Sequence, residues 1–156
     1  MCGRYYLSAP LAAYLNKLTA LPIYYGDFMP TKACLIYDGN YRLLTWGLKR
    51  KSLIINARLE TLKEKSSFRS LKRCLVLASG FYEKGHYFYG ESEPLYLAAL
   101  CDQECFVIIT TAANASMAPY HNRMPLIIEE SNCQEWLKQG QLNPSPTLRN
   151  DQPTLF

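Results

Sequence analysis

After Ser8, apolar side chains return at Leu11, Tyr14, Leu15 and Leu18, the spacing of one helix face, and the run ends at Pro22. Ser8 as N-cap and Pro10 in the first turn complete the signature, so an amphipathic helix is predicted. The period then changes. Residues 33–37 and 41–46 are short apolar and aromatic runs around Asp38-Gly39-Asn40, a sequence that tolerates positive φ, and they predict a β-hairpin. Residues 59–71 place Leu62, Phe68 and Leu71 among charged residues, a helical pattern. Four further apolar, β-branched or aromatic runs, at 74–78, 81–83 with 87–89, 95–100 and 105–110, predict a strand-rich middle. Another strand is expected at 125–128. Ser131 with Gln134 reads as a capping box opening a helix through Trp136 and Leu137 to a stop at Gly140. Beyond it, residues 141–156 hold three prolines and no periodic pattern, which predicts a flexible tail after a domain spanning 1–140. The mixture predicts an α+β fold with a mainly antiparallel, barrel-like β core and a few peripheral helices.

Composition narrows the classes. A chain of 156 residues with 49% hydrophobic and 19% charged residues has the make-up of one folded domain. No apolar run approaches the length that crosses a bilayer, and residues 1–10 lack the parts of a secretory signal. A cytoplasmic monomer with no membrane partner is therefore expected, associated with the nucleoid when on DNA, with its six cysteines reduced. Their spacing matches neither a CxxC redox motif nor a zinc site, so no metal and no cofactor are expected and most read as small core hydrophobes. The 17 basic and 13 acidic residues leave a charge of +4, which suits a polyanionic partner without amounting to a basic tail.

Cys2 directly follows the initiator methionine. Removal of Met1 would place a thiol and an α-amine on one carbon framework, with reference pKa values of roughly 8.5 and 8. Such a 1,2-aminothiol condenses with an aldehyde to a Schiff base, and the thiol then closes a thiazolidine ring. Taken alone, Cys2 reads better as a buried core cysteine. Asn56 could cap the following helix, Glu83 could be one exposed charge on a hairpin, and His121 could be structural. His86, in the Lys84-Gly85-His86 turn, reads as solvent-exposed.

Four segments change that weighting by occurring together and in order: Met-Cys-Gly-Arg at 1–4, Asn-Ala-Arg-Leu-Glu-Thr at 56–61, Gly-Phe-Tyr-Glu at 80–83 and His-Asn-Arg-Met-Pro at 121–125. Trp46-Gly47-Leu48, Arg73-Cys74-Leu75 and the run from Ile108 to Asn114 agree with them. From residue 2 to about residue 128 the chain resembles the SOS-response-associated peptidase (SRAP) family. The resemblance implies an abasic site processing protein of the SOS, or DNA damage, response that binds single-stranded DNA and forms a thiazolidine crosslink with abasic sites. By it, Cys2 is the nucleophile, Asn56 positions the Cys2 amine and the sugar, Glu83 moves protons, and His121 assists sugar ring opening and crosslink reversal. Arg4, Arg58 and Arg123 would hold phosphates. The peptidase in the family name is read here as removal of the chain's own Met1.

The chain also departs from the family pattern. Lys84 stands where a Trp is usual, Ser79 where an acidic or amide residue is common, and Asp27 where an Asn precedes Pro30. Lys49-Arg50-Lys51 fills a shortened connection that usually carries proline and tryptophan, so charge on these three residues would replace some base stacking on DNA. Two other readings stay open, an N-terminal-nucleophile amidohydrolase and a non-catalytic single-strand-binding module. The chain's end, Gln152-Pro153-Thr154-Leu155-Phe156, resembles a bacterial sliding-clamp binding peptide, with Gln152, Leu155 and Phe156 as its anchors.

Overall fold

Alternation of buried and exposed positions organises the chain from its start. In the computed structural model, which describes residues 2–140 and 146–151, β1 (Tyr5–Leu7) buries Tyr5 and Leu7 and turns Tyr6 outward. Helix α1 (Ala9–Leu18) follows; Ser8 caps it by accepting from the Leu11 N–H at 3.2 Å, and Leu11, Ala12 and Leu15 form its buried face. Next come β2 (Gly26–Phe28), the expected hairpin of β3 (Ala33–Tyr37) and β4 (Tyr41–Trp46), and the short strands β5 (Leu48–Lys49), β6 (Leu53–Ile54) and β7 (Asn56–Arg58). The strand-rich middle consists of β8 (Lys72–Ala78), β9 (Gly80–Glu83), β10 (His86–Tyr89), β11 (Leu95–Cys101) and β12 (Cys105–Ala112). It is followed by β13 (Arg123–Pro125), β14 (Ile127–Ile128), helix α2 (Cys133–Gln139) and β15 (Arg149–Asp151).

Five of these strands close on themselves. β3 pairs with β4 and β8, β8 with β11 and β11 with β12, all antiparallel, and a parallel pairing of β12 with β4 completes the ring. The result is the predicted α+β architecture with a barrel-like, mainly antiparallel core. Inward positions such as Ile36, Leu44, Val76, Leu97 and Phe106 share one cluster with Tyr5, Phe81 and Phe88 of a second sheet, ordered β15-β10-β9-β1-β2. Outside the barrel, α1 packs on Leu35 and Leu77, while Trp136 of α2 joins Leu75, Leu100, Val107 and Ile109. β12 is the hub: it also carries β13 and, in parallel, β7.

Several local expectations are corrected. Residues 59–71 form two single 3-10 turns, Leu59–Thr61 and Ser66–Phe68, instead of one helix. Lys63, Glu64 and Lys65 between them are exposed, and the break lets Leu59, Leu62, Phe68 and Leu71 all reach the outer cluster. The strand at 125–128 is split at Leu126, whose N–H donates to Ile109 and whose carbonyl accepts from Ala98, so β13 joins β12 and β14 joins β11. Ser131 does not cap α2; the cap position is Asn132, with no side-chain hydrogen bond, after a 3-10 turn, although Gly140 ends the helix left-handed as expected. Within the expected tail, Leu148 is buried in the barrel cluster and β15 extends the second sheet beside β10. Gln152, Leu155 and Phe156 lie outside the described residues.

Candidate active site

β1 and β7 bring the first two site residues together. Cys2 precedes β1 and is fully buried (0% exposed). Burial pushes its thiol up to about 12; the Arg4 backbone N–H opposes that shift and the nearby Glu83 charge adds to it. Asn56 opens β7, whose parallel pairing sets it opposite Ile108. Its amide nitrogen donates to the Cys2 carbonyl at 3.1 Å and lies 3.1 and 3.4 Å from the carbonyls of Ile55 and Ile108. Its Oδ1 is buried and accepts no hydrogen bond among the described residues.

β9 and the β12–β13 connection supply the other two. Glu83 is only 8% exposed because strand alternation turns it, with Phe81, to the inner face of its sheet. Nε2 of His121 lies 3.9 Å from Glu83 Oε1. Nδ1 of His121 accepts from the Arg123 backbone N–H at 2.9 Å. Cys2, Asn56, Glu83 and His121, separated by up to 119 positions in sequence, thus meet at one end of the barrel core.

The other candidate cations sort by exposure. Arg58 is 66% exposed and has one loose contact to Glu60 at 3.9 Å. Arg4 is bound to Asp27 at 2.7 Å and its guanidinium carbon sits 4.0 Å over the Tyr82 ring centroid. Arg123 is 14% exposed; Nη1 and Nη2 each reach Glu60 at 3.0 Å and Nη2 also donates to the Thr110 carbonyl. The guanidinium is therefore already engaged inside the protein. Lys49, Arg50 and Lys51 are all exposed on the β5–β6 hairpin, which hangs from the barrel between Trp46 and Asn56. Gly47 starts that hairpin at φ 120, and Leu53 packs so close that a Cβ there would stand 2.7 Å from it.

His86 is half-buried, not solvent-exposed. It pairs with Glu83 across the Lys84-Gly85 turn and its ring centroid is 4.6 Å from that of Tyr120. The structure also gives reasons for two departures from the family pattern. Asp27 supplies the carboxylate for Arg4, and the buried Ser79 hydroxyl joins the Ser8 N–H to Glu93. Sequence reasoning missed Asp27 as the partner of Arg4 and Glu60 as the partner of Arg123, although Glu60 lies inside the 56–61 segment.

The family model described as SOS response associated peptidase (SRAP) matches residues 1–153. The chain is 31% identical over 196 positions to abasic site processing protein YoqW of Bacillus subtilis (strain 168), covering 92% of this chain and 83% of that one. It is 27% identical over 178 positions to abasic site processing protein YedK of Escherichia coli (strain K12), covering 89% and 80%. A crystal structure of a Bacteroides thetaiotaomicron protein matches with a TM-score of 0.69 at 22% identity, over 90% of this chain and 82% of that one, and bears on the fold alone.

Proposed function

The chain belongs to the SOS response associated peptidase (SRAP) family, and from that premise we propose that it captures abasic sites in single-stranded DNA as a covalent thiazolidine through Cys2. Relatives that cover most of their length with this chain are named abasic site processing proteins. The observation that carries the reading is the meeting of Cys2, Asn56, Glu83 and His121 in one place.

Hydrolysis of the Met1–Cys2 bond frees the α-amine. The amine adds to the aldehyde carbon of the ring-opened sugar, and the carbinolamine loses water to give an imine. The S–H then adds across the C=N bond, sulfur to carbon and hydrogen to nitrogen, so aldehyde and aminothiol become thiazolidine plus water. A thiol held near 12 is a poor nucleophile at neutral pH, so the amine leads and the sulfur closes the ring once Glu83 relays its proton. The free Oδ1 of Asn56 is placed to accept from the amine or a sugar hydroxyl. His121, beside Glu83, assists ring opening and reversal. Arg58 and the Lys49 to Lys51 hairpin are the exposed cations for the flanking phosphates.

The test is a denaturing gel of Met1-free protein with an abasic single-stranded oligonucleotide. Wild type should give a heat-stable shifted band, Cys2→Ala none, and Cys2→Ser a band only after borohydride, because its α-amine survives. A band of wild-type intensity from Cys2→Ala would sink the mechanism. Glutaminase activity without any reaction toward abasic DNA would favour the amidohydrolase reading instead.

A further inference from the structure

Glu60 lies in the 56–61 segment, and the chemistry above gives it no role. Its carboxylate binds both terminal nitrogens of Arg123 at 3.0 Å. Nη2 of Arg123 also donates to the Thr110 carbonyl at 2.9 Å and lies 3.2 Å from the Thr110 hydroxyl. This guanidinium is a strut that ties the 3-10 turn after β7 to β12 and to the start of β13. The backbone of the same residue meets His121. The Arg123 N–H is 2.9 Å from Nδ1 of His121, while the Arg123 carbonyl is 3.3 Å from it. The shorter contact makes Nδ1 the acceptor, which assigns the hydrogen of the neutral ring to Nε2, the atom facing Glu83 Oε1 at 3.9 Å.

From this geometry we infer that Glu60 is a positioning residue for His121: through the Arg123 strut it fixes the backbone N–H that sets the tautomer and direction of the imidazole. One short segment then serves both ends of the site. Asn56 holds the Cys2 carbonyl, and Glu60, four residues on, holds the support of His121. The parallel pairing of β7 with β12, Asn56 opposite Ile108 and Arg58 opposite Thr110, keeps the two grips in register. The consequence for rate rests on the role proposed above for His121; the consequence for the tautomer does not.

The test uses full-length, Met1-free protein and three readouts. Long-range nitrogen–proton correlation spectra of histidine-labelled protein report the tautomer, with His121→Ala identifying the signals. Wild type should show a single Nε2–H form. Glu60→Ala should lose it, and Glu60→Gln, which still offers one acceptor to the guanidinium, should fall between. In single-turnover crosslinking, Glu60→Ala should be slowed about tenfold with unchanged affinity for an undamaged oligonucleotide, and should add no further loss in a His121→Ala background. A wild-type tautomer pattern in Glu60→Ala, or an independent loss of rate without His121, would overturn the inference. Should circular dichroism show Glu60→Ala to be unfolded, Glu60→Gln and Arg123→Lys carry the same readouts. If wild type makes no crosslink, the proposed function fails and the spectra still decide this question.

Discussion

At the Cys2 end of the site the fixed contacts run from an uncharged amide to backbone carbonyls, whereas at the His121 end they run through carboxylates and a guanidinium. The two ends are built from different physics. The first is held by shape and hydrogen-bond direction, so salt should hardly touch it. The second is a chain of charges in which removing one partner strands another. Exposure divides the arginines in the same way: Arg123 is 14% exposed and bound to Glu60, and Arg58 is 66% exposed.

The strongest way to break this contrast is Asn56→Asp, which turns a donor facing three carbonyl oxygens into an acceptor. Crosslinking should fall by at least ~100-fold and stability by ~2–3 kcal/mol, read by single-turnover gels and urea unfolding. Glu83→Gln should slow crosslink formation or reversal at least ~tenfold at nearly unchanged affinity for undamaged DNA; a wild-type rate would remove Glu83 from the chemistry. A paired comparison of arginines sharpens the division. Arg58→Ala should leave the melting curve in place and lower the salt slope of binding by about one unit, while Arg123→Ala should cost ~1–3 kcal/mol of stability. Asp27→Asn releases Arg4 from its exposed ion pair and should tighten single-strand binding roughly threefold at low salt, an effect that fades as salt rises. The smallest effect is expected from deleting residues 152–156. Crosslinking should be unchanged, and any affinity for a bacterial sliding clamp, measured by calorimetry, should disappear.

What could be read in advance followed the strength of the pattern. α1, the β3–β4 hairpin and the barrel strands are long enough for their period to show, and the cap at Ser8 and the stop at Gly140 are chemical signals independent of tertiary context. β1, β7 and β15 span three residues each, too few for a period to emerge. Pairing alone makes them strands. The four central site residues were legible only through a family likeness, since nothing local tells Asn56 from an ordinary turn residue. The ion pair of Arg123 could not be read in advance, because only the fold places Glu60 against it.

The complete burial of Cys2 has a consequence for biosynthesis. An aminopeptidase works on an extended, accessible chain end, and Cys2, the residue behind the bond it would cut, is packed into the barrel core. Under the proposed function, and unless the protein cuts its own first bond, methionine is expected to leave while the nascent chain is still emerging from the ribosome, before β12 arrives to close the ring. Protein made with any unprocessed extension ahead of Cys2 would then fold normally, melt normally and be inert toward aldehydes. Mass spectrometry of the intact chain should therefore accompany every activity measurement, because the inert fraction would be invisible to spectroscopy.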